Sequence, residues 1–152
     1  MPPPADTELP GAVLFACNLN AVRSPMAAGL LRHLLGHRIY VSSAGVRSGK
    51  TDPFAVSAME EIGIDISAHT PVSFEDLHDS SFDLVISLTP QAQHQAVEMT
   101  RTMALDVEYW PTYDPTLETG NREQRLDAYR QLRESLLTRI KERFAIRGQP
   151  NP

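Results

Sequence analysis

Apolar residues in this chain form short continuous runs, separated by longer stretches in which they recur at helical spacing. Four runs predict β-strands, at residues 12–16, 39–42, 84–88 and, with a weaker pattern, 103–107. The first and third runs are almost uninterrupted, which is typical of parallel strands that are covered on both faces. A parallel sheet is therefore the framework that the pattern favours.

Between these runs, apolar residues recur every three or four positions, as on one face of an α-helix. The stripes predict helices around residues 26–35, around 54–62, from Pro90 toward Met99, and over 126–144. Asn121 and Gln124 predict a capping box before the last helix, whose arginine-rich face we expect to be solvated. Because strands and helices alternate, we predict an α/β fold with right-handed crossovers.

Length and charge limit the domain organisation and the classes of partner. With 152 residues, of which 41 % are hydrophobic, the chain can bury one core and has little room for a second domain. We predict a single domain over residues 12–146, with flexible proline-containing termini at 1–11 and 147–152. The net charge is −5 and there is no run of Lys or Arg, which argues against a nucleic acid or a membrane as partner.

Cys17 is the only cysteine of the chain. An intramolecular disulfide is therefore impossible, and a disulfide-stapled scaffold and a cysteine-based zinc site are both excluded. The first residues have neither the basic start nor the apolar segment of a secretory signal, and no apolar run approaches the roughly 20 residues that cross a bilayer. We expect a cytoplasmic protein.

The connection between the first strand and the first helix has the composition of an anion-binding loop. Ser24 is predicted to cap the helix and Pro25 to take its first position, where a missing N–H is tolerated. So short a connection can turn its backbone amides inward at the positive end of a helix, which makes a cradle for a tetrahedral oxyanion. The predicted phosphate-binding residues are Asn18, Leu19, Asn20, Ala21, Val22, Arg23 and Ser24.

Cys17 is the predicted nucleophile of this loop. Backbone amides and a helix end favour the thiolate, which is the reactive form of cysteine. Arg23, which completes a C-x5-R pattern, can hold two phosphate oxygens with its planar guanidinium. Ser24 can donate a hydrogen bond to the sulfur and ease its departure from a phosphorylated intermediate, while Asn20 can fix the loop backbone. A cysteine buried only for packing is the simpler alternative, but a strand, a helix start and an arginine at these spacings favour catalysis.

The stretch VLFACNLNAVRSP resembles the signature loop of the low-molecular-weight protein tyrosine phosphatases, a family that extends to related arsenate reductases. Residues 43–45, 63–65 and 82–85 also resemble stretches that the family has at corresponding places, so the resemblance covers the chain from Ala12 to about Phe144. It implies a four-stranded parallel sheet with helices on both faces. It also implies a two-step reaction through a cysteinyl-phosphate, with neither a metal nor an organic cofactor.

Cleavage of a phosphate ester needs a proton for the leaving oxygen, and the chain offers two Asp-Pro pairs for this role. Asp52-Pro53 directly precedes a helical stripe, so we predict a helix cap followed by the first helical residue. Asp114-Pro115 lies in a polar loop after the last strand, where the family carries its acid. Asp114 is therefore the predicted general acid, and later the base toward water; a plain turn is the alternative.

The chain departs from the family pattern at four places. Leu19 occupies a position where the family often has glycine, and Val22 one where it often has a second cysteine. Val46-Arg47 stand where an aromatic residue is frequent, and Thr116-Leu117 where tyrosines often follow the Asp-Pro pair. Leu19 lacks the freedom of glycine for a positive φ. Without a second cysteine, an oxidised Cys17 needs an external thiol for its recovery.

The leading prediction is a cysteine-dependent phosphomonoesterase. Its predicted substrate is the phosphotyrosine of a phosphorylated protein, or a small aryl phosphate. The first alternative is arsenate reduction, because arsenate mimics phosphate; it requires an external thiol in a chain with one cysteine. The second alternative is a module that recognises phosphate without turnover. The presence of Cys17, Arg23 and Asp114 speaks against it, since a binding module needs no acid.

Overall fold

The computed structural model describes residues 9–78 and 81–146. One parallel sheet runs through it in the order β2-β1-β3-β4, which confirms the predicted α/β class. The first strand lies inside the sheet, where it pairs with a neighbour on each side. The strands are β1 (Ala12–Cys17), β2 (Tyr40–Gly45), β3 (Leu84–Ser87) and β4 (Asp106–Tyr109).

Helices cover both faces of this sheet, as the resemblance implies. They are α1 (Arg23–Leu35), α2 (Pro53–Glu60), α3 (Pro90–Met99) and α4 (Arg122–Arg143). Val13, Phe15 and Cys17 of β1 belong to the same core cluster as α1, α2 and α4, whereas Leu14 packs into a second cluster that includes Ala96 of α3. Successive residues of a strand point to opposite faces, so β1 contributes to both layers.

Two strands differ from their predicted limits. The strand predicted at 39–42 extends to Gly45, because β2 stays paired with β1 as far as Cys17, although Ser42 and Ser43 interrupt the apolar pattern. The strand predicted at 103–107 spans Asp106–Tyr109 instead. The apolar residue Met103 still belongs to the turn after α3, where its N–H donates to the carbonyl of Met99 at 3.0 Å.

The prediction that Ser24 caps α1 is wrong. The helix begins at Arg23, its N-cap is Val22, and no side chain caps it. Ser24 and Pro25 are its second and third residues, so proline still falls in the first turn, where no backbone N–H is needed. The Ser24 hydroxyl is used elsewhere, on the sulfur of Cys17.

Both other predicted caps are confirmed. The Asp52 carboxylate accepts a hydrogen bond from the N–H of Phe54 at 2.8 Å, with Pro53 as the first residue of α2. Before α4, the N–H of Gln124 donates to Asn121 Oδ1 at 2.8 Å, and the N–H of Asn121 donates to Gln124 Oε1 at 2.9 Å. A cap of this kind stabilises a helix by about 1 kcal/mol.

The expectation that the arginines of α4 form a solvated face is wrong for two of them. Arg130 donates to Glu61 from both Nε and Nη2, and Arg133 donates to Glu61 at 2.9 Å and to the Ala58 carbonyl at 2.7 Å. The Tyr129 hydroxyl donates to Asp52 at 2.7 Å. These contacts join α4 to α2, a relation that the charge pattern of α4 alone does not reveal.

No helix within residues 9–78 and 81–146 is long and apolar enough to cross a membrane. In the same part of the chain, no three His, Cys, Asp or Glu side chains lie together in a way that suits a metal ion. The predicted flexible termini lie outside the described residues except for residues 9–11. The domain limits 12–146 and the cytoplasmic location stay predictions.

Candidate active site

The candidate site lies where the strands end at one edge of the sheet. Cys17 is the last residue of β1, and its side chain is 2 % exposed. We call residues 17–24 the Cys17 loop. Asn20 and Ser24 are fully buried within it, Ala21 and Val22 are each 8 % exposed, and Leu19 is 41 % exposed. The loop therefore buries the polar side chains of Asn20 and Ser24 and exposes the apolar one of Leu19 to solvent.

A hydroxyl lies on the sulfur of Cys17. Ser24 Oγ is 3.0 Å from Cys17 Sγ. The same oxygen accepts a hydrogen bond from Asn20 Nδ2 at 2.8 Å, and its other neighbour, the Ala44 carbonyl, is farther away at 3.4 Å. Because the asparagine occupies an acceptor position of the hydroxyl, the hydroxyl hydrogen has the sulfur and the Ala44 carbonyl as acceptors, and a thiolate is the nearer and the charged one.

Asn20 holds the backbone of the Cys17 loop in its unusual shape. Its φ of 55° lies in the left-handed region, which asparagine tolerates better than most residues. Besides its bond to Ser24, its Oδ1 accepts from the N–H of Val72 at 3.0 Å, and its carbonyl lies 2.9 Å from Nε2 of His69. Leu19 has no positive φ, so this departure from the family's glycine does not strain the backbone.

His69 contacts the loop in its neutral form. Burial lowers the pKa of His69 below its ordinary value, and the nearby charge of Arg32 lowers it further, against the opposing effect of the bond to the Asn20 carbonyl. A neutral imidazole with its proton on Nε2 donates to that carbonyl. The histidine thus fixes the loop from the segment after α2.

The structure brings Arg23 and Asp114 together. Arg23 Nη1 donates to the Thr112 carbonyl at 3.0 Å, and Nη2 lies 3.8 Å from Asp114 Oδ2. The side chains are 13 % and 30 % exposed, respectively, so the pair is accessible to a ligand on one side. The guanidinium is oriented by the segment after β4, which also carries the candidate acid.

Asp114 also forms a turn, the alternative to a general-acid role in the sequence analysis. Its Oδ1 accepts from the N–H and the hydroxyl of Thr116, at 3.0 and 2.7 Å, and it precedes a short 3₁₀ turn, Pro115–Leu117. Turn formation occupies one carboxylate oxygen and leaves Oδ2 directed at Arg23. The two roles are therefore compatible in one side chain.

Residues after β2 and β3 complete the surroundings of the loop. The N–H groups of Val46 and Arg47 donate to the carbonyls of Cys17 and Asn18, at 3.0 and 2.9 Å. Gly45 permits this close approach, because a Cβ there would lie 2.8 Å from the Asn20 nitrogen. The Asn18 Oδ1 accepts from the Thr89 hydroxyl at 2.7 Å. The Cys17 loop is thus held from two neighbouring strands.

Sequence reasoning missed four partners of this site: His69, Val72, Thr89 and Thr112. His69 is one of several scattered histidines in the sequence, and Thr112 takes part through its backbone carbonyl, which no residue type marks. Thr89 precedes a proline and is recognisable as a helix cap, but nothing in its position reports the bond to Asn18. Their contacts span 49 to 89 residues of sequence.

Known proteins share this fold and sequence. A family model described as low molecular weight phosphotyrosine protein phosphatase matches residues 12–144. The chain is 35 % identical over 141 residues to an arsenate reductase of Bacillus subtilis, covering 90 % of this chain and 96 % of that protein. It is 42 % identical over 76 residues to a glutaredoxin arsenate reductase of Synechocystis, a match that covers 50 % of this chain and 58 % of that protein.

Solved structures give the same result. A low molecular weight protein tyrosine phosphatase from T. tengcongensis superposes with a TM-score of 0.71 at 28 % identity, covering 88 % of this chain and 97 % of that one. Both phosphatases and arsenate reductases thus resemble this chain over most of its length.

Proposed function

The chain belongs to the low molecular weight phosphotyrosine protein phosphatase family, and we propose that it hydrolyses phosphate monoesters, phosphotyrosine or a similar aryl phosphate in particular. The observation that carries the proposal is the 3.0 Å contact between Cys17 Sγ and Ser24 Oγ. A cysteine used for packing alone needs no buried hydroxyl on its sulfur, whereas a thiolate that must form and leave is stabilised by one. Cys17, Arg23 and Asp114 are the catalytic residues of this proposal.

In the first step, the Cys17 thiolate attacks phosphorus and the bond to the ester oxygen breaks. The guanidinium of Arg23 holds two of the phosphoryl oxygens and balances their charge. Asp114 gives its proton to the leaving oxygen, so that an alcohol or a phenol departs. The product on the enzyme is a cysteinyl-phosphate.

In the second step, water attacks the same phosphorus and the bond to sulfur breaks. The Asp114 carboxylate, now without its proton, takes one from the water, and inorganic phosphate is released. Ser24 donates its hydrogen bond to the sulfur as negative charge returns to it. This step restores the thiolate and the protonated acid, so the cycle needs no further reactant.

Hydrolysis of p-nitrophenyl phosphate tests the proposal. We expect turnover by the reduced protein between pH 5 and 8, none with Cys17→Ser, and a decrease of roughly 10²-fold or more in kcat with Asp114→Asn, since general acid catalysis contributes about that much. The other Asp-Pro pair offers a matched control, because Asp52→Asn keeps a capping residue and leaves the site intact. Absence of turnover in wild-type protein, or equal turnover with Cys17→Ser, would contradict the proposal.

A second candidate function, arsenate reduction, is favoured by the names of the curated relatives. Reduction of arsenate to arsenite takes two electrons, which two thiols supply as they become a disulfide. This chain has one cysteine, so at least one of these thiols comes from another molecule. The proposal is that Cys17 forms the bond to arsenic and an external thiol completes the reduction.

Arsenite production separates the two candidates. The purified protein is incubated with arsenate and with glutathione, mycothiol or glutathione plus glutaredoxin, and arsenite is measured. If the chain is a reductase, arsenite forms only with one of these donors, and Cys17→Ser abolishes it. If none of the three donors supports arsenite formation while p-nitrophenyl phosphate is hydrolysed, the reductase candidate is wrong.

A further inference from the structure

The segment that follows β2 lies directly along the Cys17 loop. The N–H groups of Val46, Arg47 and Gly49 donate to the carbonyls of residues 17, 18 and 19, at 3.0, 2.9 and 2.8 Å. A Cβ on Gly49 would lie 2.9 Å from Cβ of Leu19, so the two backbones are in close contact. Residues 46–50 therefore lie beside the Cys17 loop.

Two positively charged side chains of this segment have no acidic partner among the described residues. Arg47 and Lys50 are both exposed, and neither forms an ion pair within residues 9–78 and 81–146. The acid on the same segment, Asp52, is occupied by the Phe54 N–H at 2.8 Å and the Tyr129 hydroxyl at 2.7 Å. In contrast, Arg130 is paired with Glu61. Arg47 and Lys50 thus place two positive charges, unpaired within the described ranges, beside the Cys17 loop, in a chain whose net charge is −5.

These cations lie outside the cradle that holds the phosphate itself. Arg23 is the guanidinium of the Cys17 loop, and the N–H of Arg47 is already used on the Asn18 carbonyl. Arg47 and Lys50 keep only their long charged side chains for a ligand. Such side chains on a rim attract an opposite charge and discriminate against a like charge.

We propose that residues 46–50 select phosphate esters that carry a second anionic group, which in a protein substrate is an acidic side chain close to the phosphorylated residue. Arg47 and Lys50 are the specificity-determining residues, and Leu19, which is 41 % exposed and contacts Gly49 of the same segment, offers an apolar contact to the substrate. The inference rests on the proposed phosphatase function and names its substrate class.

The experiment compares three phosphotyrosine peptides of equal length, with Asp/Glu, Asn/Gln or Lys on both sides of the phosphorylated residue. We expect wild-type kcat/KM to be roughly three- to tenfold higher for the acidic peptide than for the neutral one, since each exposed ion pair contributes modestly. The Lys-flanked peptide should be the poorest substrate. The preference should shrink between about 20 and 300 mM salt, because ions screen exposed charges.

The variant Arg47→Gln/Lys50→Gln should abolish the acidic preference. Its kcat/KM for p-nitrophenyl phosphate, which has no second anionic group, should fall by a smaller factor than does the ratio of kcat/KM for the acidic peptide to kcat/KM for the neutral peptide. The matched control Arg101→Gln/Lys141→Gln removes the same charge from the opposite end of the molecule, where α3 and α4 end, and should keep the preference. Equal kcat/KM for acidic and neutral peptides in wild-type protein, or a preference that survives Arg47→Gln/Lys50→Gln, overturns the inference.

Binding of the same peptides to Cys17→Ser protein separates this inference from the proposed function. If wild-type protein turns over no ester but Cys17→Ser binds the acidic peptide severalfold tighter in a way that requires Arg47 and Lys50, the substrate class stands and the hydrolase proposal fails. If peptides are hydrolysed without an acidic preference, only the inference fails. Equal binding of the three peptides, or no binding of any, also overturns the inference.

Discussion

At the scale of single residues, the candidate site depends on polar side chains that are buried and fully engaged. Asn20 and Ser24 have no exposed surface, and a buried polar group is costly unless it is hydrogen-bonded. Asn20 meets this condition with Ser24, Val72 and His69. The Ser24 hydroxyl joins this network to the sulfur at 3.0 Å, so packing and chemistry are served by the same contacts.

Replacing Ser24 by Ala removes the donor to the sulfur and should slow the release of Cys17 from the cysteinyl-phosphate. The second step then limits turnover, because the leaving thiolate is no longer stabilised. We expect kcat for p-nitrophenyl phosphate to fall roughly 10- to 100-fold. Stopped-flow measurement should show a burst of p-nitrophenol, about one per enzyme, before the slow steady state.

The control for this variant is Ser87→Ala. Ser87 is also fully buried, and its hydroxyl is bonded to Gln93 and to the Glu108 carbonyl, away from the sulfur. Both variants should lose about 1–3 kcal/mol of stability through an orphaned polar group. Only Ser24→Ala should show the burst; a burst in neither variant, or in both, means that the hydroxyl has no specific effect on the sulfur.

At the scale of secondary-structure elements, the contact of α2 with α4 shows how charges can join helices. Hydrogen bonds from Arg130, and then from Arg133, lower the pKa of Glu61 from 4.5 to about 2. Arg133 is 9 % exposed, and its charge is compensated by Glu61 at 2.9 Å and by Glu134 at 2.8 Å. We therefore expect the stability of the contact between α2 and α4 to depend on pH.

Acid should weaken this junction within a defined window. Since the pKa of Glu61 is lower in the folded than in the unfolded chain, the unfolded state binds more protons between these values. The stability from the Glu61 pairs is complete above about pH 4.5 and is lost as the pH falls toward 2. Glu61→Gln should lower Tm at pH 7 by roughly 2–5 °C and make Tm less dependent on pH below 4.5.

The comparison variant for this test is Glu123→Gln. Glu123 also pairs with Arg130, at 2.6 Å, but its side chain is 70 % exposed, so solvent screens most of the interaction. Thermal unfolding followed by circular dichroism at pH 3, 4, 5 and 7 should show a smaller loss for Glu123→Gln. If Tm depends on pH equally in the wild type and in Glu61→Gln, protonation of Glu61 is not the cause of the loss of stability in acid.

At the scale of the whole molecule, the single cysteine distinguishes the two candidate activities. Hydrolysis returns Cys17 to its starting state with water as the only second reactant, so this chain can complete the cycle alone. Arsenate reduction leaves oxidised sulfur, and no second cysteine exists in the chain to accept it. The same fold therefore supports an independent phosphatase, or a reductase that needs an external thiol.

The sequence by itself determined the succession of strands and helices along the chain, as distinct from their order in the sheet, together with the caps at Asp52 and Asn121 and the loop that carries Cys17 and Arg23. These features rest on residues close together in the chain, whose apolar spacing and capping chemistry act locally. The edge strand β4 was misplaced because its residues are only partly buried, which leaves a weak apolar pattern. The start of α1 was misplaced because Ser24 has the chemistry of a cap and a stronger use for its hydroxyl.

Only the tertiary structure decided the strand order, the pairing of Arg23 with Asp114, and the contacts of His69, Thr89 and Thr112 with the site. Each joins residues that the chain separates by dozens of positions, and a polar side chain does not record in its own type which distant partner it meets. The contact of the Ser24 hydroxyl with the sulfur, in contrast, spans only seven residues and was predicted from the sequence. Local pattern thus located the predicted nucleophile, and long-range packing supplied its surroundings.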